Sequence, residues 1–484
     1  MSLSSLNPVS IQPVLFPLHR VRRGPLVMRE GRRGHVVTSR FEGAAKADAA
    51  TFTSSHDSHN HGAGPGYAPT QVGDFSGPLS EGAQDLLALL DAAGVEETLW
   101  MPIPTNIEGG AGTHCCGEGM ALGRTYYLPD RFRDGKAPFT PAAFDEACTV
   151  GQYYDTSVDW QVAKAWKSLP AAARNRLHPA ITGINLQDSN GMHAVMRLKK
   201  EYPGVFHWAG ELTVCKGVVQ QQNRSYRPSF AADAPLHTHL DFLARAGLGT
   251  TLHCDVSDEQ RCIRSGAPGR GENLAGIRSV FTAHPGNLLV WAHLGGLGRF
   301  GPPSRHHERD LAAVLRDFPN VCIDMSWSDV AAYYSPHAKP AANLDEARRA
   351  AFDPEADRAR RSRRIRRLAA VMEQFPDRFL MGSDTLVSRT PESISGSYAI
   401  YSNLGQGAGS ATRGDGREAL FDFLSATTQV AILRGNFERL YGQAREASLH
   451  YEAHGLQRDM DDLQAQAVRA GRTPNRWKGD IACA

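Results

Sequence analysis

The chain has 484 residues, 41% of them apolar and 21% charged, with a formal net charge of +2. That composition describes a folded globular protein and excludes a disordered or fibrous chain. The near-zero charge argues against bulk nucleic-acid binding, and no apolar run is long enough to span a bilayer. The expected setting is the cytoplasm. The eight cysteines form no CxxC pair and several sit in apolar strand-like runs, as reduced thiols do. Arg22-Arg23 in the leader is followed by no long apolar segment, so neither a secretory nor a twin-arginine signal is expected.

Residues 1–50 lack a clear helical period and read as an arm or leader. The next stretch, His56-Asp57-Ser58-His59-Asn60-His61-Gly62, places two imidazoles one residue apart. On a strand they share a face and could grip a divalent metal from both sides. Alone the pattern is not specific. Apolar residues at helical spacing then predict a helix over 81–94, stopped by Gly94, and a buried strand from 97.

A Gly-rich insertion over 106–156 follows. Excursions of this length are often lids or binding loops. It holds His114-Cys115-Cys116 with Glu118, read as a loop over the barrel mouth rather than a zinc site, because adjacent cysteines do not easily share a tetrahedral ion. It also holds Arg124, Tyr126 and Tyr127, which could clamp a substrate carboxylate or stack on a ring, or could pack the insertion down. Beyond it, helices near 158–175, 190–201, 235–246, 273–284, 306–317, 357–374 and 417–435 alternate with strands at 178–185, 205–214, 249–254, 288–293, 320–326 and 378–384. The strands are near-continuously apolar, as parallel strands covered on both faces are. About eight such units predict a (β/α)8 TIM barrel over 51–442. An open doubly wound sheet would carry a Gly-rich phosphate loop after its first strand, and none is seen. Residues 443–484 read as a C-terminal tail with a helix over 447–470, able to pack on the barrel or on a second subunit in a homodimer.

Several metal-ligand residue types fall at strand ends. His59 and His61 lie on the first strand, Glu211 on the fourth, His253 ends the fifth, His293 the sixth and Asp384 the eighth. Parallel strands put these ends on one rim, where barrel active sites are built. Imidazoles and carboxylates suit zinc or a similar ion, which activates water near neutral pH, with a carboxylate to move its proton. Trp327 and Asp329 follow the seventh strand on that rim as candidate pocket residues. His306 and His307 could reach the mouth, while His237 and His239 read as structural. The arginines at 358, 360, 361, 363, 364, 366 and 367 read as a solvated helix face rather than a phosphate-backbone contact.

The order His-x-His, strand-five His253, His293-Leu-Gly-Gly and Gly-Ser-Asp384 resembles the amidohydrolase superfamily. With Leu-Asp-Ala-Ala-Gly-Val before the second strand and Arg434-Gly-Asn-Phe-Glu-Arg-Leu-Tyr-Gly at the close, it is most similar to the amidohydrolase-related (amidohydrolase 2) branch. The resemblance implies that His59 and His61 bind a buried metal, with Asp384 a ligand and general base. It implies His253 as a further ligand, and His293 as a second-metal ligand or a substrate-polarising catalytic residue. One or two divalent ions, zinc by default, are implied. Glu211 looks like the bridging carboxylate of binuclear members, although it could instead pair with Lys216. Two metals favour hydrolysis of an amide, ester, lactone or related bond in a small molecule. The alternatives are a mononuclear zinc decarboxylase of a small aromatic or unsaturated acid, a TatD-like phosphoesterase, and a ligand-binding barrel without turnover.

Overall fold

The computed structural model describes residues 55–60, 79–102, 157–187, 191–217, 228–265, 267–298, 301–335, 353–384, 401 and 419–469. Eight parallel strands form one sheet in sequence order: β1 (Ser55–Asn60), β2 (Val95–Trp100), β3 (Leu177–Ile181), β4 (Trp208–Cys215), β5 (Gly249–Cys254), β6 (Leu289–Trp291), β7 (Val321–Asp324) and β8 (Phe379–Leu380). The two ends meet. The Ser58 amide donates to the Met381 carbonyl at 2.9 Å, and its hydroxyl donates to the same oxygen at 2.7 Å. The fold is the expected (β/α)8 barrel.

Helices on the outside connect the strands: α1 (Leu79–Ala93), α2 (Ser157–Ser168), α3 (Gly191–Glu201), α4 (Pro235–Arg245), α5 (Leu274–Ala283), α6 (His307–Asp317) and α7 (Pro354–Gln374). Their apolar faces close on the outward residues of the strands, in a layer that includes Leu212, Leu252, Leu289 and Ile323. Local chemistry sets their ends. Asp353 caps α7, its carboxylate accepting from the Glu355 and Ala356 amides, with Pro354 at the first helical position. The helix predicted over 158–175 is broken at Pro170, which begins a separate turn, Ala171–Arg174. A proline ring clashes with the preceding helical turn and lacks the amide the helix needs.

The barrel interior is filled at one end by Leu99, Ala180, Trp208, Val290, Cys322 and Leu380. The indole of Trp208 lies so close to Gly249 that a Cβ there would stand 2.2 Å from the ring. Under this layer runs α8 (Asn436–His454), which contributes Phe437, Leu440, Tyr441 and Ala444 to the same cluster. It replaces the helix expected over 417–435, where short turns, Leu420–Phe423, Ala426–Val430 and Ala431–Gly435, stand instead. The helix also runs through residue 442, the predicted end of the barrel, and a further helix, α9 (Leu456–Arg469), follows it.

The far half of α8 is tied down by a buried ammonium. Lys199 of α3 donates to the Phe206 carbonyl, to Ser448 and to Glu452, the last at 2.7 Å. Burial lowers the Lys199 pKa against the pull of Glu452.

The arginines of α7 are not a solvated face throughout. Arg364 and Arg367 both reach the buried carboxylate of Glu308 on α6, and Arg361 holds Asp357 and the Ala332 carbonyl. Arg366 lies over the Phe423 ring. The contacts with Glu308, Ala332 and Phe423 weld α7 to its neighbours, and these partners lie too far along the chain for charge spacing to reveal. Among the described residues, no helix is long and apolar enough to cross a membrane.

Candidate metal centre

Glu211, His253 and His293 meet at the C-terminal rim. One donor atom from each lies within 4.8 Å of the other two, and all three residues are buried. Among the described residues this is the one grouping of its kind. Strand alternation explains His253: on β5, Leu252 points out and His253 in. On β4 the register shifts between Ala209 and Leu212, so Trp208 and Glu211, three residues apart, both turn into the barrel while Leu212 joins the outer layer. The register sets Thr213 beside His253, which brings Glu211 under the imidazole.

His293 arrives differently. The sequence places it at the end of a strand over 288–293, but β6 stops at Trp291, and residues 292–296 turn with positive φ at His293, Leu294, Gly295 and Gly296. The His-Leu-Gly-Gly run serves that turn. A Cβ on Gly296 would stand 2.0 Å from the Cys254 carbonyl, and its φ of +74° suits glycine alone at low cost.

Among the described residues, four non-glycine residues have positive φ: His293, Leu294, Trp327 and Asp384. Three are predicted site residues and the fourth adjoins one. Such conformations cost on the order of 1–3 kcal/mol each and persist where the surroundings over-determine them. Here the supports are visible. The Asp324 carboxylate accepts from the His293 amide at 2.9 Å, His307 Nε2 meets the Leu294 carbonyl at 2.8 Å, and Trp291 Nε1 donates to Cys254 O at 2.9 Å. His307 is therefore a buttress of the turn, and His306 contacts Arg305. His237 and His239 are also away from the centre: His237 Nδ1 lies 2.8 Å from His284 Nε2, and His239 is buried against Gly191.

Around the cluster the polar contacts are dense. His253 Nδ1 lies against Glu211 Oε1, and its Nε2 is 2.9 Å from Asp255 Oδ1. His293 Nε2 is 2.9 Å from His253 Nδ1 and 3.7 Å from Glu211 Oε2, and its Nδ1 is 2.8 Å from Ser326 Oγ. Lys216 Nζ stands 3.0 Å from Glu211 Oε1, so the alternative partner foreseen for Glu211 is realised alongside the histidines. Asp384, beyond the end of β8, is buried and near enough for its charge to act on both imidazoles. The Trp327 ring meets His293 edge-on, with centroids 5.2 Å apart. Asp329 acts on Tyr333.

Burial lowers the pKa of both imidazoles and so favours the neutral, lone-pair-bearing ring. Burial alone would raise Glu211, yet the His253 imidazole hydrogen-bonded to it and the Lys216 ammonium beside it hold it well below the usual carboxylate range. Asp255 goes the other way, pushed up to about 7 by burial against a hydrogen bond from the Gly217 amide. Two neutral imidazoles and an ionised carboxylate, each ring engaged at both nitrogens, make a donor set that fits a divalent cation.

The side chain of His59, which lies on β1, and all of His61, Arg124, Tyr126, Tyr127 and the His114–Glu118 segment lie outside the described residues. Sequence reading did not single out Lys216 as a site group, nor Asp255, Asp324 and Ser326 at all. The signal was present for three of them: His253-Cys-Asp255 and Asp324-Met-Ser326 repeat a polar residue at the strand period just past an apolar run.

Buried histidines away from the cluster bear on acid stability. Burial lowers His207 to about 3, with the Lys199 charge adding to it, and burial also lowers His284 and His307. Unfolded, each ring binds a proton near pH 6.5. Below that pH the unfolded chain holds more protons than the folded one, so stability is full above about 6.5 and falls with pH toward 3. Asp255 has the opposite sign but is a single group. The urea midpoint is expected to drop between pH 7 and pH 5; an unchanged midpoint would contradict this.

The family model described as amidohydrolase matches residues 156–443, more than half of the chain. No curated protein matches. Among solved structures, a probable 2-pyrone-4,6-dicarboxylic acid hydrolase from Acinetobacter baumannii with citric acid bound is 10% identical, covering 80% of this chain and 99% of its own at a TM-score of 0.38. An amidohydrolase from Burkholderia multivorans with bound zinc is 15% identical, with 80% and 99% covered and a TM-score of 0.34. The IDCase of Metarhizium anisopliae in apo form is 13% identical, with 75% and 79% covered and a TM-score of 0.35. Likenesses this distant carry no argument about chemistry. The family match does: the chain belongs to the amidohydrolase superfamily, in its amidohydrolase-2 branch.

Proposed function

We propose that this enzyme is a metal-dependent hydrolase that uses activated water to cleave an amide, ester, lactone or related bond of a small molecule. The observation that carries the reading is the convergence of Glu211, His253 and His293 within 4.8 Å on the catalytic rim of the barrel. In this proposal His59 and His61 complete the donor set from β1, and Asp384 joins it from the end of β8. A bound divalent cation, zinc by default, would supply Lewis acidity and lower the pKa of a water molecule. Asp384 takes the proton of the attacking water and passes it to the leaving group, as general base and then acid. His293 either holds the cation or polarises the scissile bond. Trp327 walls the pocket beside His293, and Arg124 and Tyr126 of the insertion hold the polar end of the substrate.

One contact favours a second reading. Lys216 Nζ engages Glu211 Oε1, the oxygen that a carboxylate bridging two cations would need. A fixed ammonium there favours one cation over two, and a single cation suits decarboxylation of a small aromatic or unsaturated acid. A substrate panel separates the readings. Amides, esters and lactones are assayed for acid release, and aromatic and unsaturated acids for carbon dioxide. Hydrolysis without carbon dioxide supports the first reading; carbon dioxide release alone supports the second.

A further inference from the structure

Behind His293 stands a short polar chain whose proton positions follow from its geometry. Asp324, Ser326 and His293 are fully buried. Asp324 and Ser326 are two residues apart at the end of β7, so both reach the same side of the barrel. Asp324 Oδ1 accepts from the His293 amide at 2.9 Å and the Ser326 amide at 3.0 Å. Backbone amides only donate, so this oxygen is an acceptor twice over and carries no proton. The Ser326 hydroxyl lies against the same oxygen. A hydroxyl has one proton, and here it goes to Asp324. Toward His293 Nδ1, 2.8 Å away, Ser326 can then only accept. Nδ1 therefore bears the ring hydrogen, and Nε2 turns a lone pair toward His253 and Glu211.

We infer that Asp324 and Ser326 are positioning residues that lock His293 in the Nδ1–H tautomer and so prepare Nε2 as a metal ligand. The inference rests on the metal-centre reading proposed above. The two residues differ in what else they do. Asp324 also anchors the strained turn through the His293 amide, whereas the Ser326 hydroxyl serves the ring alone among its described contacts with His293. Ser326→Ala therefore removes the relay while leaving the amide anchor.

Two measurements on the full chain test this. In metal-free wild type labelled with 15N-histidine, the two-bond proton–nitrogen couplings of His293 are expected to show hydrogen on Nδ1; hydrogen on Nε2 would overturn the inference without any variant. In a chelator competition, Ser326→Ala is expected to bind zinc about 10–100-fold more weakly, the range usual for partners behind a metal ligand, and its His293 signal to become a mixture of tautomers. Unchanged zinc affinity with an unchanged tautomer would overturn it. A wild type that takes up no zinc sinks the metal-centre reading instead, because the tautomer is read without zinc. If Ser326→Ala does not fold, the wild-type couplings still decide.

Discussion

Glu211→Ala is expected to leave a protein that neither holds a metal nor turns over substrate. The change removes the carboxylate that both imidazoles face and leaves Lys216 buried with its ion-pair partner gone. Without that carboxylate between them, the Lys216 ammonium repels a divalent cation, so the loss of affinity should exceed the 10–100-fold typical of groups behind the ligands. Breaking a buried pair also destabilises, by about 3–5 kcal/mol, because one charge is left uncompensated. That cost could masquerade as a lost site. Pairing the change with Lys216→Met resolves it: the double variant should recover stability but not metal binding. Zinc retained by a folded Glu211→Ala protein would remove Glu211 from the site.

Asp384→Asn is expected to behave otherwise. The residue is nearly isosteric, lies at the end of β8 and is held with a φ of +51°, a conformation asparagine tolerates. The fold should persist. What is lost is a negative charge that acts on both His253 and His293 and the capacity to accept a proton. On any substrate found in the panel, kcat should fall by about 10²–10⁴, the usual range for a general base. Zinc content should be kept or only partly reduced. Full activity in this variant would exclude Asp384 as the base, and ligand binding with no change in function would favour a barrel that binds without turnover.

Much of this architecture was legible because strand periodicity does two jobs at once. The apolar runs gave the alternation of strands and helices, and their ends gave the rim on which Glu211, His253 and His293 meet. Ligand-type residues at those ends could be listed without knowing a single contact. What periodicity could not give is geometry that departs from a strand. The turn that carries His293 has left-handed residues in succession and is held by Asp324 and His307, from β7 and α6. The double role of Glu211 depends on a lysine five residues on, folded back by the end of β4. The arginines of α7 looked solvated because Glu308 lies some sixty positions away. The placement of α8 beneath the barrel rests on packing of Phe437, Leu440 and Tyr441 rather than on any local signal.

Central to the account is a cation held by the rim of this barrel. Elemental analysis of the purified full chain, before and after reconstitution with zinc, tests it most directly. At least one divalent ion per chain is expected, lost in Glu211→Ala. A fully folded wild type that binds none under either condition would contradict it.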